Sequence, residues 1–299
     1  TARHLVRATL EESIVKRLAS GAPVGVLLSG GVEDSTLAAV AGRHLQPLHT
    51  FAVSTREDPD LDAARDLARR IGSVHHEYVL DAQEVRADLP TILFHLESFE
   101  QRLVRDSIRW YYGARLASQH VGTLLTGEGA GQLLGDHRYH RDISDEAQLH
   151  QELRRSVTAL HHRDLQRLDR MTMAHGVEVR LPFLDVEFVQ TALGIPPELK
   201  IRRDTAGRAV DQWILRHAFE DCLPPGVVWP RTEGGAKERG MRDLLSEAFS
   251  LADAEPHLVE YARRNSRDRL RSLEEAFYHR TLVELFGKRA GALLENVAR

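Results

Sequence analysis

Apolar and polar residues follow two distinct patterns in the first half of the chain. A short apolar run predicts a buried strand at 24–28, and further strands are predicted at 48–54, 74–80 and 121–125. Before and between these strands, apolar residues recur every three or four positions, which predicts helices at 3–20, 38–44 and about 61–71. Strands that alternate with helices at this spacing favour an α/β fold, in which a parallel sheet carries helices on both faces.

The second half of the chain has a mainly helical pattern. Leu and Ala recur at helical spacing over 145–220 and 241–294. We therefore expect an α/β portion at 1–135 and a mainly helical portion at 136–299, which together form one compact domain. The segment 229–240 is rich in glycine and basic residues and is typical of a mobile loop. A solvated surface loop and a loop that closes over phosphates explain it equally well.

Composition narrows the classes of partner and site. The 299 residues are 42% hydrophobic and carry a net charge of −4, so no basic field predicts nucleic-acid binding. The single cysteine, Cys222, excludes an internal disulfide and a multi-cysteine metal site. The sixteen histidines show no metal-ligand spacing of the usual kinds. No apolar run reaches the length of a membrane span, and we expect a cytoplasmic enzyme or binding protein.

The first predicted strand ends in a turn that suits phosphate. Ser29, Gly30 and Gly31 follow the apolar run, and Asp34 and Ser35 come soon after. Two glycines let the backbone approach an anion closely, and free N–H groups at a helix start favour phosphate. Asp34 can hold a magnesium ion beside that phosphate, and the Ser35 hydroxyl can donate to it. An ordinary strand-to-helix turn explains a bare Gly-Gly equally well, whereas Ser-Gly-Gly before Asp-Ser is more specific.

A second glycine-rich turn, Thr126-Gly127-Glu128-Gly129, follows the strand at 121–125. In open α/β sheets, ligands collect at the carboxyl ends of the strands. Both glycine turns lie at such ends, which predicts a shared nucleotide site.

Six segments of the chain resemble, in order, the synthetase domain of the asparagine synthetase B and β-lactam synthetase family. They are LLSGGVEDST, LHTFAVS, VHHEYVL, LTGEGA, LDRMTMAHGVEVRLPFLD and WILRHAFEDCLP. The resemblance covers roughly residues 5–240, and HGVEVRLPFLD is its most diagnostic block. It implies an adenine nucleotide α-hydrolase-like (PP-loop) fold with ATP and Mg²⁺ as cofactors. It also implies an ATP-dependent, AMP-forming amide ligase, which adenylates a carboxylic acid for attack by ammonia or another amine.

The resemblance also implies roles for individual residues. The segment from Ser29 to Ser35 matches the pyrophosphate loop, with Asp34 as a magnesium ligand. Val53 and Ser54 match the backbone that holds adenine. Gly127 and Glu128 match a Gly-Glu-Gly turn whose glutamate is catalytic in asparagine synthetases.

Glu178 lies in the GVEVR segment, which supplies a further active-site carboxylate in β-lactam-forming relatives. An ion pair of Glu178 with Arg180 or Arg170, which would connect the two portions of the chain, explains the residue at least as well.

The chain departs from the family pattern where triphosphate and metal are handled. The first loop is one residue longer than the usual Ser-Gly-Gly-x-Asp-Ser, because Val32 and Glu33 both precede Asp34. Gly131, followed by Gln132, replaces an aspartate that is a second magnesium ligand. Loss of an anionic ligand weakens a site for a hard cation. Asp136, five residues on, could compensate.

Two family lysines are also replaced, by Gln212 and by Thr232 in the segment 229–240. Arg231 or Lys237 could take over only if that loop folds differently. The departures leave two functions open: an active amide ligase, or a catalytically degenerate homologue that acts as a nucleotide-binding or scaffolding partner. Different chemistry in the same cleft, such as ATP hydrolysis, is a third open function.

The source of the amine is open as well. Family asparagine synthetases obtain ammonia from a glutaminase domain, and residues 1–299 contain no such domain. Ammonia from a separate glutaminase, from a partner protein or from solution, or a different amine, would each suffice. A homodimer is expected from the resemblance alone.

Overall fold

A computed structural model of the chain describes residues 1–19, 21–55, 60–162, 164–203, 207–229, 236–250, 256–265 and 270–287. The strands are β1 (Val24–Leu27), β2 (His49–Ser54), β3 (Val74–Val79), β4 (Thr123–Leu125), β5 (Glu178–Arg180), β6 (Arg202–Arg203) and β7 (Ala209–Val210). The helices are α1 (Ala2–Leu18), α2 (Val32–Ala41), α3 (Asp60–Ile71), α4 (Ala82–Leu96), α5 (Gln101–Ala117), α6 (Ala130–Leu134), α7 (Glu146–Ala159), α8 (Asp164–Met173), α9 (Val186–Gly194), α10 (Trp213–Phe219), α11 (Pro225–Val228), α12 (Ala236–Ser250), α13 (Pro256–Arg264) and α14 (Leu273–Phe286).

The first five strands form one parallel sheet in the order β3-β2-β1-β4-β5. The predicted α/β class is confirmed, and each of the four predicted strands is present within two residues of its expected start. The chain runs outward from β1 to β3 and then returns to β4 on the other side of β1. The order therefore reverses between β1 and β4, which is where a ligand crevice opens in sheets of this kind.

The fifth strand, β5, was not predicted from the sequence. It has only three residues, Glu-Val-Arg, none of them fully buried, so it lacks the apolar run that marked the other strands. It pairs with β4 through Thr123–Glu178 and Leu125–Arg180. The later part of the chain thus completes the sheet, and the division at residue 135 stays a prediction.

Helices cover both faces of the sheet, as predicted. On one face, α1, α2, α3, α9 and α10 bury an apolar cluster that includes Leu10, Val26 and Phe188. On the other face, α4, α5, α8, α12 and α14 bury a second cluster that includes Tyr112 and Tyr278. The sequence pattern gave no elements for α4 and α5, which fill the interval before β4.

Two further sequence predictions concern membrane spans and the segment 229–240. Among helices built from the described residues, none is both long and apolar enough to cross a membrane. Of the segment 229–240, residues 230–235 lie outside the described residues, Arg231 and Thr232 among them. The side chain of Lys237 also lies outside that set.

Gly25 lies in the middle of the sheet, where β1 passes closely over β2. A Cβ atom at this position would lie 2.5 Å from Cε2 of Phe51, which is fully buried, and 3.2 Å from the carbonyl oxygen of His49. Gly25→Ala is therefore expected to lower the free energy of unfolding by about 1–3 kcal/mol, measured by urea denaturation. Gly122→Ala is the control, because a Cβ there meets no atom within 4 Å. Equal losses in the two variants would contradict this account.

Candidate active site

The two glycine turns meet in the crevice between β1 and β4. The Gly127 N–H donates to Oδ1 of Asp34 at 2.8 Å, and the Ser29 hydroxyl donates to Oδ2 of Asp34 at 2.6 Å. A side chain at Gly127 would not fit, because its Cβ would lie 2.5 Å from Cβ of Glu33. The structure thus brings together the predicted residues of both turns.

The turn at Ser29 has the features of an anion cradle. Gly30 adopts a left-handed conformation with φ of 82°, and α2 begins immediately after Gly31. The N-cap residue is Gly31, which has no side chain to accept from the first N–H groups of α2. These groups and the positive end of the helix dipole favour a bound phosphate.

Three buried hydroxyl groups at this edge of the sheet have no hydrogen-bond partner among the described residues. They belong to Ser35 in the first turn of α2, Ser54 at the end of β2 and Thr55 beyond it. Buried polar groups are nearly always hydrogen-bonded, so orphaned ones are typical of a site that a ligand completes. The arrangement fits a bound nucleotide.

The backbone at Val53 faces the open end of β1. The last bond between the two strands joins the Leu28 N–H to the Phe51 carbonyl at 2.7 Å. Because alternate residues of a strand face the same neighbour, the Val53 backbone points toward β1 beyond that bond. Ser54 faces β3 instead, where its carbonyl accepts from the Leu80 N–H at 2.9 Å. Val53 thus offers a backbone edge beyond the last described pairing with β1, and the adenine contact stays a prediction.

Glu128 lies in the second turn, with only 16% of its side chain exposed. Burial raises the pKa of Glu128 to about 7, and the nearby Asp164, Asp34 and Asp106 carboxylates add to this rise. The Arg167 guanidinium opposes the rise in pKa. A carboxyl group with this pKa exchanges a proton near neutral pH.

Arg167 is the centre of a charged cluster that was not predicted from the sequence. Its guanidinium lies 3.3 Å from Glu128, 3.3 Å from Asp106 and 3.5 Å from Asp164, and only 8% of the side chain is exposed. Gln132 donates to Oδ2 of Asp164 at 3.1 Å. We call these five residues the Arg167 cluster. The cluster holds Glu128 in place. Three carboxylates already surround the single Arg167 cation, so a neutral amide at Gln132 avoids adding a fourth negative charge.

A second cluster surrounds Glu33 on the side of α10. The Gln212 side chain donates to Oε1 of Glu33 at 2.5 Å. Part of the Asp136 residue is exposed, yet desolvation by the surrounding protein raises the pKa of its carboxyl group above the ordinary value. The Glu33 and Asp211 carboxylates add to this rise. Asp211 in turn accepts a bidentate contact from Arg141. This side of the crevice is therefore rich in carboxylates and has an amide at the place of a family lysine.

The structure clarifies the two departures in the glycine turns. The longer first loop is not looped out: α2 starts directly after Gly31, and the Ser35 N–H donates to the Gly31 carbonyl at 3.1 Å. Counted without a gap, Glu33 takes the place of the motif aspartate and Asp34 that of the motif serine. At Gly131, a Cβ would lie 3.1 Å from Cβ of Asp136. Asp136 therefore lies where it can compensate for the missing aspartate.

Glu178 does not join the other predicted site residues. It is the first residue of β5, in register with Thr123 at the amino end of β4, whereas the crevice lies beyond Leu125. Its side chain is 61% exposed and forms an ion pair with Arg180 at 2.8 Å. This placement fits the alternative of an ion pair, and the catalytic role of Glu178 stays a prediction without geometric support.

Comparison with known proteins places this site in a family. The family model of asparagine synthase matches residues 5–146 and 136–291. Over 308 aligned positions, the chain is 34% identical to "Asparagine synthetase [glutamine-hydrolyzing] 3" of Arabidopsis thaliana, covering 96% of this chain and 52% of that protein. A "Probable asparagine synthetase [glutamine-hydrolyzing]" of Dictyostelium discoideum is 34% identical, with coverages of 93% and 54%. The chain thus spans about half the length of these relatives.

Among solved structures, NMN synthetase from Francisella tularensis aligns with a TM-score of 0.35 and 12% identity, over 83% of this chain and 94% of that one. The family match extends over nearly the whole chain and includes both glycine turns. The chain belongs to the asparagine synthase family.

Proposed function

We propose that the protein is an ATP-dependent, AMP-forming amide ligase that adenylates a carboxylic acid for attack by ammonia or another amine. The observation that carries this proposal is the position of Glu128. Its carboxyl group, with a pKa of about 7, lies in the turn that bonds directly to the phosphate loop through Gly127 and Asp34. Phosphate binding and proton transfer can therefore take place in one crevice.

Binding of the nucleotide uses the start of α2 and the end of β2. The first N–H groups of α2 and the hydroxyl of Ser35 face the phosphates, and the backbone of Val53 holds the adenine. Mg²⁺ would be held by Asp34, with Glu33 and Asp136 nearby, and would neutralise charge on the phosphates. Oδ2 of Asp34 accepts from Ser29 and Oδ1 accepts from Gly127, and a carboxylate oxygen can accept more than one contact.

Glu128 receives the proton of the amine. When nitrogen attacks the acyl-adenylate, the new C–N bond replaces the bond from the carbonyl carbon to AMP, and nitrogen must lose a proton. A carboxylate whose pKa lies near the working pH is an effective general base for this step. Arg167, 3.3 Å away, keeps Glu128 oriented and stabilises its charged form.

A second function has its own support in the Glu33 region. Glu33, Asp136 and Asp211 lie close together beside Arg141 and Arg216, and Gln212 adds no further positive charge to this side of the crevice. Carboxylates repel a triphosphate unless metal ions or cations intervene. A catalytically degenerate homologue that binds a nucleotide or a partner protein as a scaffold is therefore the alternative.

One experiment distinguishes the two functions. ATP is titrated into the protein by calorimetry with and without Mg²⁺, and AMP and pyrophosphate are then measured with a panel of carboxylic acids and ammonia. For the ligase, we expect Mg²⁺-dependent binding with a Kd of about 1 μM to 1 mM. Asp34→Ala should weaken ATP binding at least tenfold. Asp62→Ala is the matched control, because this α3 carboxylate is 86% exposed and, among the described residues, its side chain forms no contact with either glycine turn.

Binding without any AMP across the panel would contradict the ligase and favour the scaffold. No ATP binding by the wild type, followed by binding after Gln212→Lys and Gly131→Asp with Asp136→Ala, would also favour it. Asp136 is changed together with Gly131 because the two side chains would otherwise lie within 3.1 Å. Equal ATP affinity in Asp34→Ala and the wild type would contradict the proposed phosphate site at Asp34, for the ligase and the scaffold alike.

A further inference from the structure

Three histidines from separate segments meet at the amino edge of the sheet, away from the crevice. His49 is the first residue of β2, His76 lies in β3, and His120 follows the last turn of α5. One ring nitrogen from each of the three lies within 4.8 Å of the other two. Because these residues are far apart in sequence, their spacing shows no ligand pattern, and the sequence predicted no histidine metal site.

The three rings are already arranged against one another. Nδ1 of His49 lies 3.0 Å from Nε2 of His76, and the His76 and His120 rings stack with centroids 3.9 Å apart. The buried ring of Phe51 stacks on His76 at 5.0 Å and forms an apolar wall of the group. His49 and His76 are half-buried and His120 is exposed, so the group is supported on one side and open to solvent on the other.

The imidazole rings favour one class of metal ion. Imidazole nitrogen favours Zn²⁺, Ni²⁺, Cu²⁺ and Co²⁺ over Mg²⁺ and Ca²⁺.

We propose that His49, His76 and His120 bind a divalent transition-metal ion of the zinc class. Tetrahedral zinc with three histidines leaves one position for water, which the exposed side of His120 allows. Zn–N bonds of 2.0–2.1 Å place the nitrogens about 3.4 Å apart. Small rotations of the rings achieve this, since the nitrogens already lie within 4.8 Å of one another.

The bound ion adds a link between a helix and the sheet, beside the hydrogen bonds that already join β2 to β3. It joins the end of α5 to β2 and β3 at the edge opposite the crevice, roughly 17 Å away along a six-residue strand. An ion that binds the folded chain but not the unfolded one stabilises the fold. The site therefore has a structural role that is independent of the proposed ligase activity.

The experiment uses the full chain without an affinity tag, after removal of metal with a chelator. Titration with CoCl₂ is followed by the visible absorption of tetrahedral Co²⁺, and titration with ZnCl₂ by calorimetry. We expect one equivalent of metal and a rise of several degrees in Tm with Zn²⁺. His120→Ala and His76→Ala should each lower Zn²⁺ affinity at least tenfold. The double variant His161→Ala/His162→Ala, which removes another adjacent histidine pair, should not.

His120 is exposed and follows a helix end, so His120→Ala is expected to fold, which circular dichroism checks. The proposal is overturned if no saturable binding appears at millimolar Zn²⁺. It is also overturned if the affinity is the same in the wild type, His76→Ala and His120→Ala.

Discussion

Replacement of Glu128 by Gln is expected to lower the rate of amide formation about 10²–10⁴-fold, the usual contribution of a positioned general base. The Gln side chain keeps the size of Glu128 but cannot accept the proton of the amine. ATP affinity should stay close to that of the wild type, because no proposed phosphate or adenine contact involves this side chain. The measurement is amide and AMP formation under single-turnover conditions.

The pH dependence of the rate gives a second test of the same residue. Glu128 must be deprotonated to act as a base, so the wild-type rate should fall as pH drops below its pKa of about 7. The Glu128→Gln variant should lose this limb. Glu178→Gln is the control, because Glu178 is 61% exposed at the amino end of β5. An equal loss of rate in Glu178→Gln would show that the placement of the two carboxylates has been misassigned.

Arg167→Met is expected to lower the free energy of unfolding by about 3 kcal/mol at neutral pH. The change leaves Glu128, Asp106 and Asp164 without the cation that they share. This estimate is at the lower end of the range for buried ion pairs, because Asp106 and Asp164 are 46% and 32% exposed. Urea denaturation measures the loss, with Arg69→Met as the control, since Arg69 is 79% exposed.

The loss in Arg167→Met should shrink at about pH 5. Arg167 lowers the pKa of Glu128, so its removal raises that pKa further above the unfolded value of about 4.3. Both folded proteins bind more protons than their unfolded chains, so both gain stability as the pH falls. The variant gains more, because its Glu128 pKa is higher, and the difference between the two proteins shrinks. A deficit that is independent of pH, or one no larger than that of Arg69→Met, would contradict a charge cluster centred on Arg167.

The sheet was largely predictable: β3 is a partly exposed edge strand, but β1, β2 and β4 are mostly buried. Such strands appear as continuous apolar runs such as Val24–Leu28, bounded by turn residues. β5 escaped prediction because an edge strand of three residues needs no apolar run. Its pairing with β4 comes from the tertiary fold, which local sequence does not record.

The site was predictable only where its residues are adjacent in sequence. Both glycine turns were located, and the structure joins them through Asp34 and Gly127. Arg167 was missed because its partners come from α5, the β4–α6 turn and α8, and a charged helix gives no sign of which partner each residue meets. The nearness of Asp136 to Gly131 likewise follows from the short α6 between them.

The packing of α1 also has a consequence for synthesis of the chain. Its apolar residues Val6, Leu10 and Ile14 are fully buried, and α1 packs against α9 and α10 as well as α2. α10 ends at Phe219, so about 200 residues must be made after α1 before that face can close. At roughly 5–20 residues per second, this takes roughly 10–40 s on the ribosome. During this interval the nascent chain carries an apolar helix face, which is the kind of surface that chaperones bind.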